Sequence, residues 1–179
     1  PLHRVADAPD GGDAEATVRV YRARDQVDIA SYVEGSAPAE TGQIALDRVF
    51  AANADVHVGD AIELQGRSYT VCGIMTLPDY CASFKNNSDF TINALSFGVA
   101  EVAPAEFDAL MSDADTYSPS YTYAFVLHNR NLSLPERTEL ETDMTSALTE
   151  HGTMVTDFVD ADSNQGINYA LDDTEGDSV

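Results

Sequence analysis

The sequence predicts an α+β fold, in which strands and helices mix without a strict β-α-β repeat. Segments with the period of strands and segments with the period of helices follow one another along the chain in irregular order. The 179 residues are 44% apolar, which is enough to build the core of one domain or of two small lobes.

The chain is strongly acidic: 31 Asp and Glu stand against 9 Lys and Arg, a net charge of −22 at pH 7. Such a chain repels phosphate backbones and anionic headgroups, so we expect it to bind neither nucleic acid nor a membrane surface. Residues 138–179 hold eleven acids and no Lys or Arg. We interpret them as a solvated face and tail, with a cation-facing surface or a salt-adapted source as alternatives.

The first elements are a loose lead-in and a strand. Residues 1–14 are rich in Asp, Gly and Pro, which favours irregular structure. Residues 15–22 alternate, with Ala16, Val18 and Val20 on one face, and so predict a half-exposed strand. The chain has no leading Met and no signal-peptide pattern, so we expect a mature or excised piece of a longer protein.

Residues 42–74 form the clearest organised block. Residues 44–46 predict a short buried strand, after which Asp47 can cap a helix that runs through Asn53. Residues 61–64 and 69–75 then predict two strands of a hairpin, joined by a turn at residues 65–68.

Two strands and two helices are predicted in the next part of the chain, with a last strand after them. Strands are expected at residues 95–102, 121–127 and 154–159. Pro104 suits the first turn of a short helix. A longer helix begins with a capping box, Ser133 to Glu136, and Gly152 can end it. Its apolar stripe consists of Leu140, Met144, Ala147 and Leu148.

Aromatic residues are concentrated in a predicted loop at residues 78–90. Exposed aromatic side chains among Asn and Asp would form a recognition surface for a ligand or partner protein. The candidate residues of this surface are Asp79, Tyr80, Phe84, Asn86, Asn87 and Phe90. Alternatively, the three aromatic rings fold inward as the loop's own small core.

The two cysteines, Cys72 and Cys81, lie nine positions apart. They are free thiols in a reducing compartment, or they form one disulfide outside it. The four histidines show no ligand spacing near them, so we expect no metal site. Residues 160–166 place oxygens as a calcium loop does, but the glycine comes one position late and Leu171 replaces the bidentate Glu. An EF-hand is therefore not expected, and an adventitious calcium site stays an alternative.

Signatures of catalysis are missing from the sequence. It has no phosphate-binding glycine loop, no nucleophile elbow and no HExxH motif. We therefore expect no cofactor and no enzymatic activity. A hydrolase that works through two carboxylates stays an alternative, because the sequence does not say which acids face one another.

Three segments in order carry a family resemblance: GQIALD at 42–47, VGDAI at 58–62 and YTVCGI at 69–74. Together they resemble a pattern in the extracytoplasmic domains of FtsX-like (MacB-like) ABC-transporter permeases. Asp79-Tyr80, NNSDF at 86–90 and FGVA at 97–100 resemble a further block of one Gram-positive-type branch of that family. The resemblance covers residues 34–110 well and the flanks weakly.

The resemblance implies a domain on the extracytoplasmic face of the cell membrane, looped between two transmembrane helices of a permease. Such a domain is not an enzyme, because ATP is hydrolysed by a separate cytosolic ATP-binding subunit. It contacts a substrate or partner and couples it to ATP-driven helix motion. Its partners would be that subunit, a second permease and an unknown substrate or extracellular protein. A free secreted or surface binding module is the alternative.

The resemblance also implies a MacB-like division of the chain. A mixed body is formed by both chain ends, residues 1–37 and 112–179, of which 160–179 are a loose acidic tail. A β-rich lobe, residues 38–111, is inserted between them. In this arrangement, residues 15–22 pair with the strands of residues 121–159.

Overall fold

The computed structural model describes residues 2–6, 16–64, 66–80, 96–112, 122–129, 131–155, 158–160 and 162–164. Within them the chain forms a mixed sheet with few helices, which confirms the predicted α+β class. The strands are β1 Leu2–Ala6, β2 Ala16–Arg22, β3 Ser31–Gly35, β4 Gln43–Asp47, β5 Ala61–Leu64, β6 Arg67–Thr76 and β7 Phe97–Val102. The helices are α1 Arg48–Asn53, α2 Pro104–Met111 and α3 Leu134–Glu150.

All seven strands belong to one sheet, in the order β3-β6-β4-β7-β2-β1-β5. Because β5 also pairs with β6, the sheet closes into a ring, and β3 lies outside the ring beside the end of β6. The pairs β2–β7 and β4–β6 are parallel, and the other pairs are antiparallel. The sheet is therefore mixed, and the long strand β6 joins its two ends.

The main core is enclosed by the ring. The predicted alternation in β2 is confirmed, since Ala16, Val18 and Val20 are buried in this core. Helix α1 covers part of it with Phe50, whose ring packs on Gly98 of β7. A Cβ atom at Gly98 would lie 2.4 Å from Cγ of Phe50, so only glycine fits there without a shift.

A second apolar cluster lies on the outer face of β4, β6 and β7. It consists of Ala45, Met75, Leu77, Phe97 and Val99. Because the two clusters cover both faces of β7, all residues of this strand are buried, and one of them is the acid Glu101.

The block at residues 42–74 folds as predicted. Helix α1 begins at Asp47, whose Oδ1 accepts the N–H groups of Val49 and Phe50 at 3.1 and 2.9 Å. The hairpin of β5 and β6 is confirmed, but its turn is shorter than predicted because β6 already begins at Arg67. Gly66 in this turn has φ +74°, a conformation that favours glycine.

Helix α3 has both predicted ends. The N–H group and the hydroxyl of Ser133 donate to Oε2 of Glu136 at 2.7 and 2.6 Å. Beyond the last turn, Gly152 has φ +83°. The helix nevertheless buries none of its residues: three members of the predicted stripe, Leu140, Met144 and Leu148, are half-buried, and the fourth, Ala147, is exposed.

Two local predictions are wrong. Residues 2–6, expected in a loose lead-in, form β1, because the neighbouring strand β2 supplies hydrogen-bond partners along their whole length. Residues 122–127, 154–155 and 158–159, expected in strands, lie outside any strand. The physical reason is that both edges of β2 are already occupied, by β1 on one side and by β7 on the other.

The predicted boundary at residues 37 and 38 falls within this sheet. Strands β2 and β3 belong to the predicted body, yet they pair with β7 and β6 of the predicted lobe. The division into body and lobe stays a prediction, and the sheet joins the two parts. Among the described residues, no helix has the length and apolar character needed to cross a membrane.

Candidate functional site

A cluster of charged and phenolic side chains lies on the outer face of the sheet, beside the second apolar cluster. We call it the Arg24 cluster; it consists of Arg24, Tyr32, Asp79 and Glu101. Arg24 donates from Nη1 and Nη2 to both carboxylate oxygens of Asp79, at 2.8 and 3.2 Å. Its Nε donates to Oε1 of Glu101 at 3.3 Å, and the Tyr32 hydroxyl donates to Oε2 at 2.9 Å.

Four parts of the chain bring these side chains together. Arg24 follows the end of β2, and Tyr32 lies in β3. Asp79 lies in a single turn of 3-10 helix, Pro78–Tyr80, directly after β6. Glu101 lies in β7 and is 0% exposed. The cluster therefore ties the turn after β6 to three strands of the sheet.

Burial changes the pKa values of three side chains of the cluster, Glu101, Tyr32 and Arg24. It raises the pKa of Glu101, although the Tyr32 hydrogen bond and the charge of Arg24 oppose this rise. Burial and the nearby Glu101 carboxylate also raise the pKa of Tyr32. For Arg24, burial favours loss of the proton, but the hydrogen bond and charge of Asp79 outweigh it and raise the pKa. The guanidinium is thus charged at all relevant pH values.

Two more tyrosines extend the cluster along the sheet. The hydroxyls of Tyr21 and Tyr80 are 2.8 Å apart, and Arg19 donates to the Tyr80 hydroxyl. The Tyr80 ring packs 6.4 Å from the ring of Phe97. The guanidinium carbon of Arg24 lies 4.8 Å from the Tyr21 ring centre, at cation–π distance.

This arrangement anchors the chain after β6. Glu101 is fully buried and bound by two donors, so it holds its neighbours and does not face a ligand. Asp79 and Tyr80 are half-buried and bonded to the sheet through Arg24 and Arg19. The geometry thus fixes the position of the 3-10 turn Pro78–Tyr80 against the sheet.

Of the six residues predicted to form a recognition surface, two lie in the described part of the chain. Asp79 and Tyr80 are consecutive residues of the 3-10 turn, and the Tyr80 ring lies against the sheet, as in the inward alternative. The other four, Phe84, Asn86, Asn87 and Phe90, lie outside the described residues. Binding of a partner at this surface stays a prediction.

The sequence left open whether Cys72 and Cys81 are free thiols or form one disulfide. In this structure Cys72 is a half-buried free thiol, which donates to the carbonyl oxygens of Ser36 and Ile44 at 3.5 and 3.4 Å. Burial raises the pKa of this thiol. Cys81 lies outside the described residues.

Sequence reasoning missed Arg24, Tyr32 and Glu101. One signal was present for Glu101, since an acid within the apolar run Phe97–Val102 indicates a buried charge that needs a partner. No comparable signal marked Arg24, which lies 55 residues from Asp79 in the chain.

The calcium-like loop after residue 159 binds a side chain of the same protein. Asp160 and Asp162 both pair with Nη1 of Arg137 in α3, the Asp160 oxygen at 3.2 Å. Ser163 N–H donates to Oδ1 of Asp160 at 2.8 Å. In the part of the chain that the structure describes, no group of three or more His, Cys, Asp or Glu could hold a metal ion.

Compared with known protein families and with curated proteins, the chain matches no family model and no curated sequence.

Proposed function

We propose that this chain is an extracytoplasmic, non-catalytic domain of an FtsX-like (MacB-like) ABC-transporter permease. It contacts a substrate or partner protein and couples it to transmembrane helices that a cytosolic ATP-binding subunit drives. The net charge of −22 suits the outer side of a membrane, because positive charge is concentrated in cytoplasmic loops.

The observation that carries the proposal is that the three segments of the resemblance bind one another. The N–H of Gly59 donates to the carbonyl of Val71, and the N–H of Val71 donates to the carbonyl of Asp60, both at 2.8 Å. The N–H of Thr70 donates to the carbonyl of Gly42, also at 2.8 Å. The three segments thus form one structural unit. This supports a fold shared with the permease family more strongly than three unconnected sequence matches would.

The Arg24 cluster supports a transmitting role. Arg24 and Tyr32 belong to the proposed body, residues 1–37 and 112–179. Asp79 and Glu101 belong to the proposed lobe, residues 38–111. Partly buried ion pairs are less screened and less mobile than surface pairs, so the cluster links the two parts firmly. In this proposal, a force on the turn at Asp79 reaches the end of β2 through Arg24, and it reaches β3 through Glu101 and Tyr32.

Asp79 and Tyr80 also begin the proposed contact surface. The contacts with Arg24 and Phe97 hold these two residues against the sheet. The proposed surface comprises these two residues and four that follow in the chain, Phe84, Asn86, Asn87 and Phe90.

The experiment that tests the proposal is purification of the full-length gene product from membranes of its source. We expect hydrophobic spans on both sides of residues 1–179 and co-purification of an ATP-binding subunit. A secretion signal before the segment, a stop codon soon after it and recovery from the medium would instead show a free secreted binding module.

The two acids bound to Arg24 do not support the alternative of a hydrolase that works through two carboxylates. Asp79 and Glu101 are both bound to the same guanidinium, and Glu101 is fully buried. A catalytic carboxylate must reach the substrate or an attacking water, and this pair is engaged within the protein.

A further inference from the structure

Two acids converge on the same nitrogen of Arg24. Oδ2 of Asp79 lies 2.8 Å from Nη1, and Oδ2 of Asp28 lies 4.0 Å from the same atom. Asp79 belongs to the 3-10 turn Pro78–Tyr80, whereas Asp28 follows Arg24 by four residues in the same segment of the chain. The distant acid is therefore hydrogen-bonded to Arg24, and the local acid lies just outside hydrogen-bond distance.

The backbone holds Asp28 close to Arg24. Asp28 has φ +53°, a left-handed conformation that Asp tolerates better than most residues other than glycine. Such a conformation persists where the surrounding structure favours it. The side chains of Arg24 and Asp28 are 18% and 29% exposed, so both are partly buried. A second acid is thus kept beside a guanidinium that Asp79 already binds.

The surroundings of Arg24 hold more acid than base. Asp28, Asp79 and Glu101 each place a carboxylate oxygen within 4.0 Å of its guanidinium. Burial, and after it the charge of Asp79, raise the pKa of Asp28, while the charge of Arg24 opposes this rise. Asp79 and Glu101 already accept hydrogen bonds from Arg24. Asp28 is therefore the acid of the three that would gain from a direct bond.

We propose that Arg24 exchanges partners, so that Asp28 replaces Asp79 when the turn Pro78–Tyr80 releases the Asp79 carboxylate. A partly buried guanidinium that loses an acid without replacement is destabilising, because its charge is then poorly compensated. Asp28 supplies the replacement from the segment that carries Arg24, and Glu101 keeps its bond to Nε. Asp28 is thus a reserve counter-ion, which makes the bond between Arg24 and the turn releasable.

The neighbouring contacts show which part of the turn moves. Tyr21 and Arg19 hold the hydroxyl of Tyr80, and the Tyr80 ring packs on Phe97. Tyr80 therefore stays in place while the Asp79 side chain swings out. The released carboxylate becomes accessible to a cationic group from outside the protein. This inference does not depend on the proposed permease function.

A crystal structure of Asp79→Ala at neutral pH tests the exchange directly. Alanine removes both carboxylate oxygens from Arg24 and suits a helical turn. We expect an oxygen of Asp28 at about 3 Å from Nη1 of Arg24, in place of the 4.0 Å in the unchanged chain. An Asp28 carboxylate that stays at the longer distance or turns away from Arg24 would overturn the proposal.

Unfolding in urea measures what the reserve counter-ion contributes. Asp79→Ala should raise the unfolding equilibrium constant about tenfold when Asp28 is present. Combined with Asp28→Asn, it should raise that constant about a hundredfold, because Arg24 then loses both acids. Asparagine has the shape of Asp and tolerates the same backbone conformation, so Asp28→Asn removes only the charge.

Asp25→Asn is the matched control for Asp28→Asn. Asp25 is exposed in the same segment, and its replacement changes the net charge by the same amount. Combined with Asp25→Asn, Asp79→Ala should again raise the unfolding equilibrium constant about tenfold. If Asp79→Ala has the same effect in both backgrounds, Asp28 does not replace Asp79 and the proposal is wrong.

Discussion

The carboxylate of Asp47 joins helix α1 to strand β7 through Val99. Its Oδ2 accepts the backbone N–H of Val99 at 2.7 Å, while Oδ1 caps the helix. The last pair of the ladder between β4 and β7 is Leu46 and Ala100, so the Asp47 side chain continues the pairing where the backbone turns into the helix. Asp47 is 6% exposed, and water does not compete well for either bond.

Asp47→Ala should lower the free energy of unfolding by about 3 kcal/mol. About 1 kcal/mol reflects the lost helix cap, and the remainder reflects the buried Val99 N–H left without an acceptor. Urea unfolding measures the change. Asp60→Ala is the control, since Asp60 accepts the His57 N–H at 2.8 Å in an exposed turn. Equal losses in the two variants would show that the Val99 bond contributes nothing.

Arg24→Met should lower the free energy of unfolding by about 3 kcal/mol, because it leaves Glu101 buried without its cation. Adding Glu101→Leu should recover part of this loss, because it removes the buried carboxylate, while Asp79 and the Tyr32 hydroxyl each still lack a partner. A urea-unfolding double-mutant cycle measures the coupling.

Arg137→Met is the control for Arg24→Met. Arg137 also binds two acids, but at the surface, where solvent screens the pairs, so no measurable loss is expected. If the two single variants behave alike, burial is not what makes the Arg24 cluster important.

Glu101→Gln should flatten the dependence of stability on pH. The folded-state pKa of Glu101 lies above its ordinary value of 4.5. Its contribution to stability is therefore full below about pH 4.5 and is lost as the pH rises through the folded-state pKa. Glutamine cannot ionise, so this loss disappears.

Urea unfolding from acid to neutral pH measures the effect. Glu34→Gln is the control variant, because it removes an acid from the exposed strand β3 and leaves the buried contacts of Glu101 unchanged. An identical slope in Glu101→Gln and the unchanged chain would contradict the assignment of a raised pKa.

Gly98→Ala should lower the free energy of unfolding by about 2 kcal/mol, because the added methyl group overlaps the Phe50 ring. Adding Phe50→Leu should relieve the overlap, so the double variant should be less destabilised than the sum of the singles. Thermal unfolding of all three variants measures this. Strict additivity would mean that the two residues do not compete for space.

The sequence predicts the local units of this fold well. The Asp47 cap, the hairpin turn at Gly66 and the capping box of Ser133 each depend on residues within a few positions of one another. The closed ring could not be predicted, because β2–β7 and β1–β5 join strands far apart in the chain. The Arg24 cluster was unpredictable for the same reason, apart from the buried acid of β7.

The most direct test of the central claim is the location of this domain in intact cells. In the full-length gene product without its native cysteines, Ser112→Cys places a thiol at an exposed position after α2. A membrane-impermeant maleimide should label it before lysis, while a cysteine in the co-purified ATP-binding subunit is labelled only after lysis. Labelling of Ser112→Cys only after lysis would contradict an extracytoplasmic domain.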